Sequence, residues 1–310
     1  MRPGGGPIST GAAAGLSAPP LPPMELLTRI GRTPEGDAET REFFDRSGRA
    51  RKRAILNTLP DDYSFEGRRV LDFGCGAGRV LRHFMPEATN AEFWGCDLHQ
   101  PTIAWLEANL SPPMRFFVND QRPMPLPDGH FDLVYALSVF THITHDWSDW
   151  LLELHRILKP DGLLLATFMG NATWERAAQQ PVDENELGMA VLGLHREISD
   201  TSGPIVLHSP WWLRTHWGRA FEMLLVRPDG FIKPGQGHGV VLARKLDVRL
   251  GTDDLEWPDP DDPRELAAQR NQIALLERNA ARMRNQLQRQ RALLRSKPKR
   301  AKARLLRRDA

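Results

Sequence analysis

The sequence predicts an α/β protein whose core is a doubly wound parallel sheet, followed by a helical extension. Three observations carry this reading. Short apolar runs recur at Arg69–Phe73, Glu92–Cys96, Met114–Val118, Phe131–Leu137 and Leu163–Phe168, and stretches of helical spacing separate them. Strands alternating with helices build parallel sheets. The first run ends in three alternating glycines, Gly74, Gly76 and Gly78, which mark a tight strand-to-helix turn. After residue 263 the composition shifts to an Arg-, Gln- and Leu-rich helical pattern.

The first element to justify is Arg69 to His83, RVLDFGCGAGRVLRH. Glycine lets the main chain take positive φ and lets a ligand lie against it. A dinucleotide fingerprint spaces its glycines G-x-G-x-x-G, whereas here the third glycine arrives one residue early and Arg79 follows it. Asp72 beside the loop would repel a pyrophosphate. It would attract a ligand with positive groups, such as the amine and sulfonium of S-adenosylmethionine (SAM).

Upstream, Glu25 to Leu59 reads as two helices around a loop holding Gly31, Pro34 and Gly36. Phe43, Phe44, Ile55 and Leu59 form the apolar face, and Arg49, Arg51, Lys52 and Arg53 form a solvated basic one, with a direct role toward substrate as the alternative. Downstream of the glycines, Val80, Leu81 and Phe84 continue a first helix toward Pro86. The second strand ends in Asp97, about 20 residues after the glycine turn, where a carboxylate can accept from both hydroxyls of a ribose. Its plainer role is to cap the helix beginning near Pro101, a part His99 can also take. The third strand runs into Asn119 and Asp120, where an acceptor suits an adenine amine and a simple turn is the alternative.

The fourth strand exits through Ser138 to His142 at the carboxyl edge of the sheet, where open α/β folds bind ligands. That makes His142 and His145 candidates. Asn171 to Gly203, with Trp174, Glu186 and His195, has little periodicity and suits a lid or substrate wall. Ser209 and Pro210 open a helix as cap and first residue, with His208 just before it. Phe221–Val226 and Gly239–Ala243 form a last strand pair.

Composition bounds the rest. The 310 residues are 41% hydrophobic and 26% charged, enough for one large core. No stretch is apolar enough to span a membrane. Residues 1–23 lack the basic and apolar regions of a signal peptide, so they read as a disordered leader and the expected compartment is the cytoplasm. Two cysteines, Cys75 and Cys96, make no disulfide framework, and no metal-binding spacing occurs. Residues 264–310 hold 15 Lys and Arg against 3 acidic residues, a net of +12, while the remainder carries −10. The division expected is a body at 24–246, with a helical cap at 24–66; a Pro-rich linker at 247–263; a helix at 264–296; and a basic tail at 297–310. A heptad seam through Leu266, Ile273, Ala280, Leu287 and Leu294, with Gln269, Leu276, Met283 and Gln290 between, makes 264–296 a candidate coiled coil for self-association. The tail suits an anionic partner.

These motifs resemble the class I SAM-dependent methyltransferase family over roughly Phe43 to Lys245. VLDFGCGAGR resembles its first motif, WGCDL its second, VND its third and LHRILKPDGLLLATF the approach to its fifth strand. The resemblance implies a Rossmann-like, seven-stranded sheet with one antiparallel strand in the last pair. It also implies that Asp72, Gly74, Gly76 and Gly78 contact the amino-acid part of SAM, Asp97 the ribose and Asp120 the adenine. A narrower likeness, through FGCGAGRVLRHF, ALSVFTHIT and LHSPWWL, is to methyltransferases of bacterial glycan and cell-surface polysaccharide synthesis.

The expected function is methyl transfer from SAM to a small-molecule or glycan acceptor, by O-methylation. A neutral imidazole suits the general base for a hydroxyl, with His142 first and His208 second. Two alternatives stand beside it: a non-catalytic SAM-binding scaffold that oligomerises through its C-terminal helix, and a nucleic-acid methyltransferase anchored by the basic tail.

Overall fold

A computed structural model describes residues 19–30, 34–178, 183–192, 204–235 and 237–305. In chain order the elements are α1 (Met24–Leu27), α2 (Asp37–Leu56), β1 (Arg69–Phe73), β2 (Glu92–Asp97), α3 (Gln100–Leu110), β3 (Arg115–Val118), β4 (Phe131–Ala136), α4 (Trp147–Ile157), β5 (Leu158–Phe168), α5 (Asn171–Ala178), β6 (Met189–Leu192), β7 (Ile205–His208), α6 (Pro210–His216), β8 (Phe221–Arg227), β9 (Gly239–Lys245), α7 (Thr252–Glu256) and α8 (Pro263–Leu305). Seven strands form one sheet in the order β3-β2-β1-β4-β5-β9-β8. Only β9 runs against its neighbours, pairing antiparallel with both β5 and β8. The fold class read from the sequence is the one present.

Period-2 alternation explains why both faces are covered. Leu71, Phe73, Val134, Ala136, Leu164 and Ala166 point into one core with α4 and α6. Val70, Leu133, Tyr135, Leu163 and Leu165 point into the other with α3 and the end of α2. Because β1 to β5 are parallel, their carboxyl ends share one edge, and the exits of β1, β2, β3 and β4 meet there.

Several expectations need correction. The helix expected after the glycine turn is only a pair of 3-10 turns, Leu81–Phe84 and Glu87–Thr89. Gly78 still has φ +71° and Pro86 follows eight residues on, so too little chain remains to nucleate an α-helix. The leader is held at its end: the Arg82 guanidinium donates to the Pro19 and Pro20 carbonyls. Residues 1–18 and Gly31 lie outside the described residues. The linker is packed, because α7 falls inside it, Leu255 is buried, and Arg219 donates to the carbonyls of Asp254 and Trp257. The last helix does not stop at residue 296 but runs to Leu305, taking in most of the expected tail, while 306–310 lie outside the described residues.

The aperiodic 171–203 stretch contains α5 and β6, and β6 pairs antiparallel with β7. A lone Met169–Leu207 bridge ties this two-stranded sheet to the edge where the strand exits meet. His195 lies outside the described residues.

Candidate active site

The glycine loop is pinned to the end of β2, since Gly74 N–H and Cys75 N–H both donate to the Cys96 carbonyl at 2.9 and 2.8 Å. Gly78, at φ +71°, is closed: a Cβ there would come within 2.6 Å of Leu106. Gly76, at φ +52°, is different, because a Cβ there would meet nothing within 4 Å. Its main chain faces open space and can take a ligand directly.

Asp97 holds that surface in place. Its Oδ2 accepts from Gly76 N–H at 2.9 Å and its Oδ1 accepts from His99 N–H at 3.0 Å. The carboxylate is therefore a clip between two loops. It is not a helix cap: His99 is the N-cap residue of α3 and makes no side-chain capping bond. A carboxylate has about four acceptor sites, so two backbone donors leave room for hydroxyls.

Asp72 lies at the root of the loop and is 3% exposed. Burial pushes its carboxyl up to about 8; the adjacent Tyr135 hydroxyl and Arg79 pull the other way, and Asp97 adds to the rise. Burial also pushes the Arg79 guanidinium down to about 9, with Arg51 adding to the fall and Asp72 opposing it. Arg51 is likewise lowered by burial. Arg79 is thus opposed by the like charge of Arg51 and supported, among the carboxyls, by Asp72, an arrangement that favours an added carboxylate ligand.

The sequence reading placed Arg51 on a solvated face and gave Arg79 no role. A signal for Arg51 was present: Thr40, Phe44, Ser47, Gly48, Ala54 and Ile55 are the buried positions of α2, and Arg51 falls among them at helical spacing. Gly48 brings α2 against the glycine loop, since a Cβ there would sit 2.0 Å from the Arg79 carbonyl.

At the end of β3 the roles of the two candidates separate. Asp120 is exposed. Asn119 is 4% exposed, and its Oδ1 is a buried acceptor with no partner among the described residues. Such an atom is costly unless a donor reaches it.

Beyond β4 the backbone is strained at Ser138, φ +63°. Its N–H donates to Thr167 Oγ1 at 2.7 Å and its Oγ lies 3.1 Å from His238 Nδ1. His238, missed in the sequence, precedes Gly239, which pairs with Phe168 and so brings the imidazole to the ligand edge. His142 Nδ1 lies 2.8 Å from the Pro204 carbonyl. A carbonyl only accepts, so Nδ1 carries the hydrogen and the neutral ring keeps its lone pair on Nε2. His208 is fully buried against Trp212 and Trp217, with neither ring nitrogen bonded among the described residues. Burial pushes it down to about 3. No group of three or more His, Cys, Asp or Glu side chains among the described residues is placed to hold a metal ion.

Residues 71–166 match a family model described as a methyltransferase domain, a segment that contains the cradle and the exits of β1 to β4. Over that segment the chain is similar to class I SAM-dependent methyltransferases. The methyltransferase domain is similar to 2-methyl-6-phytyl-1,4-hydroquinone methyltransferase of Synechocystis sp., at 26% identity over 207 residues, covering 58% of this chain and 60% of that protein. It is also similar to the mitochondrial arginine-hydroxylase NDUFAF5 of Rattus norvegicus, at 30% over 119 residues, 38% of this chain and 34% of that protein. Among solved structures, phosphoethanolamine N-methyltransferase 1 of Haemonchus contortus, in complex with phosphoethanolamine and S-adenosylhomocysteine, aligns at 16% identity and a TM-score of 0.49, over 71% of this chain and 49% of that one. The chain spans 60% or less of the length of each of these relatives.

Proposed function

We propose that this chain transfers a methyl group from SAM to a small-molecule acceptor. The observation that carries the reading is the open main chain at Gly76, clipped by Asp97 and flanked by the buried Asp72 and the half-buried Arg79 and Arg51. In this reading Asp72 meets the cofactor's ammonium and sulfonium charge, and Arg79 and Arg51 meet its carboxylate. The remaining acceptor sites of Asp97 take ribose hydroxyls. Asn119 and Asp120 share the adenine end, with the buried Asn119 Oδ1 as the stronger claim on an exocyclic amine. Bound there, SAM supplies an electrophilic methyl group, and the protein's task is alignment and exclusion of water.

The finer reading is O-methylation, with the hydroxyl of a glycan or related metabolite as acceptor. His142 is the base in this scheme. Its Nδ1 is held by Pro204, so Nε2 can take the hydroxyl proton as the oxygen attacks. His208 remains second, because full burial keeps it from solvent-borne acceptors.

Calorimetry with SAM, then a transfer screen with methyl-labelled SAM against small metabolites, envelope glycans and RNA, tests the reading. SAM binding with label appearing in a small acceptor supports it. Absence of SAM binding by the folded chain refutes it, and label confined to RNA would replace the acceptor class. His142→Gln should leave SAM affinity unchanged and slow transfer about 10²- to 10⁴-fold. Equal loss of affinity would make His142 a binding residue.

A further inference from the structure

Helix α8 has two working faces. Its first turns dock on the body: Glu265 and Ala268 are buried, Leu275 packs on the Trp174 cluster, and Asn271 donates to the Glu186 carbonyl at 2.6 Å. The apolar residues Leu266, Ile273, Leu276, Met283 and Leu287 lie on a stripe about a third of a turn away. They are 53, 57, 45, 45 and 49% exposed. The docked face is thus not the face that carries the stripe, and the stripe continues past the point where the helix leaves the body.

We propose that this stripe is covered by a second copy of the chain, in a parallel two-stranded coiled coil running from Ile273 to Gln290. The stripe keeps a seven-residue period, which a straight helix lets drift but a left-handed supercoil of two helices holds at the contact. Gln290 fits the same arrangement, because in parallel register it meets its own copy and each amide has a partner, whereas a shifted or reversed register buries it against Leu or Met. Docking of the first turns holds the helix ready, which lowers the ordering cost of association.

An anionic bilayer is the competing occupant, since the helix is basic. It fits less well. The apolar stripe is narrow, and from Pro258 to Ala310 the sequence has no Trp, Phe or Tyr to seat in an interface.

Sedimentation equilibrium of the full chain, at concentrations up to about 100 μM, decides between them. A species of twice the 35.1 kDa chain mass is expected. The double variant Leu276→Glu/Met283→Glu should weaken association by at least about a hundredfold while the calorimetric SAM response and melting temperature stay as in the wild type. In the Gln290→Cys variant, mild oxidation should give a disulfide-linked dimer, because equivalent positions meet only in the parallel arrangement; Cys75 and Cys96 are buried. A wild type that stays monomeric, a dimer unaffected by the double variant, or a dimer that Gln290→Cys does not link each overturns the proposal. So does a monomer that binds phosphatidylglycerol vesicles through Leu276 and Met283. None of these outcomes bears on whether SAM binds.

Discussion

Asp72 is the residue at which the proposed cofactor chemistry becomes a measurable proton. Burial raises its carboxyl to about 8, so at pH 7 the free protein holds it mostly protonated. A cationic ligand beside it needs the carboxylate, so SAM binding at pH 7 should release close to one proton. Between pH 6 and 7 the ionised fraction of such a group rises about tenfold, and SAM affinity should tighten by about the same factor. Above pH 8 the gain ends, as the carboxyl is already ionised and the ligand's own amine begins to lose charge. The same shift has a stability consequence of opposite sign to that of a paired carboxylate. The native state holds an extra proton between the ordinary value and about 8, so Asp72 makes the fold less stable as pH rises through that window. Each pH unit is worth about 1.4 kcal/mol, so Asp72→Asn should stabilise the free protein by up to about 4 kcal/mol at pH 7 and by little at pH 4. It should also weaken SAM binding and abolish its pH dependence. Titration calorimetry in two buffers of different ionisation enthalpy reads the proton directly, and thermal melts at pH 4 and 7 read the stability. Wild-type binding with no proton release and a flat affinity between pH 6 and 7 would refute the argument.

Other consequences are more local. Arg51→Ala should leave α2 folded and weaken SAM binding by about 10- to 100-fold, the loss of one charged hydrogen bond, read by calorimetry; an unchanged affinity would return Arg51 to a packing role. Gly76→Ala and Gly78→Ala should behave differently although both carry positive φ. The first adds a Cβ to open space and should cost stability only about 1 kcal/mol while lowering SAM affinity more than tenfold; the second meets Leu106 and should lower the melting temperature itself. At the base of α8, His216 Nε2 lies 3.0 Å from Glu265 Oε1, and both residues are buried. Glu265→Ala should cost about 1–3 kcal/mol, seen as early loss of helical signal on heating, because it removes the side chain facing His216 Nε2, while Nδ1 stays 2.6 Å from the Leu255 carbonyl.

Much of this molecule was legible because its information is local. Short apolar runs located the seven strands of the main sheet, and Gly74, Gly76 and Gly78 marked the turn at the end of β1 from residues within five positions of one another. Asp97 and Asp120 were expected at strand ends by the same reasoning, and the structure places them there, Asp120 exposed beside the buried Asn119. What escaped depends on contacts between distant segments. Arg51 stands among Arg49, Lys52 and Arg53, and only the docking of α2 through Gly48 turns Arg51 and Lys52 inward, the latter onto Glu87 and the His83 carbonyl. His238 sits in a Gly- and Pro-rich loop 100 residues from Ser138, and only the antiparallel return of β9 brings the two to 3.1 Å. The hairpin β6–β7 was missed because an unpatterned stretch of sequence lies between its strands.

Asp97 shows how a residue's role depends on the loops it joins. The sequence offered two roles, ribose ligand and helix cap, either or both of which it could fill. The structure shows a third: the carboxylate fixes the main-chain N–H of Gly76 and that of His99 together. This bond orients the open glycine before any ligand arrives. A side chain that shapes the cradle contributes to affinity by keeping the loop from having to order on binding, whatever it also donates or accepts. Preorganisation of this kind is set by the free protein, so its loss appears in the unliganded melt, whereas loss of a direct hydroxyl contact appears only when ligand is present. The division of Asp97's effect between those two measurements therefore states how much of the cofactor site is built by the fold and how much by the ligand.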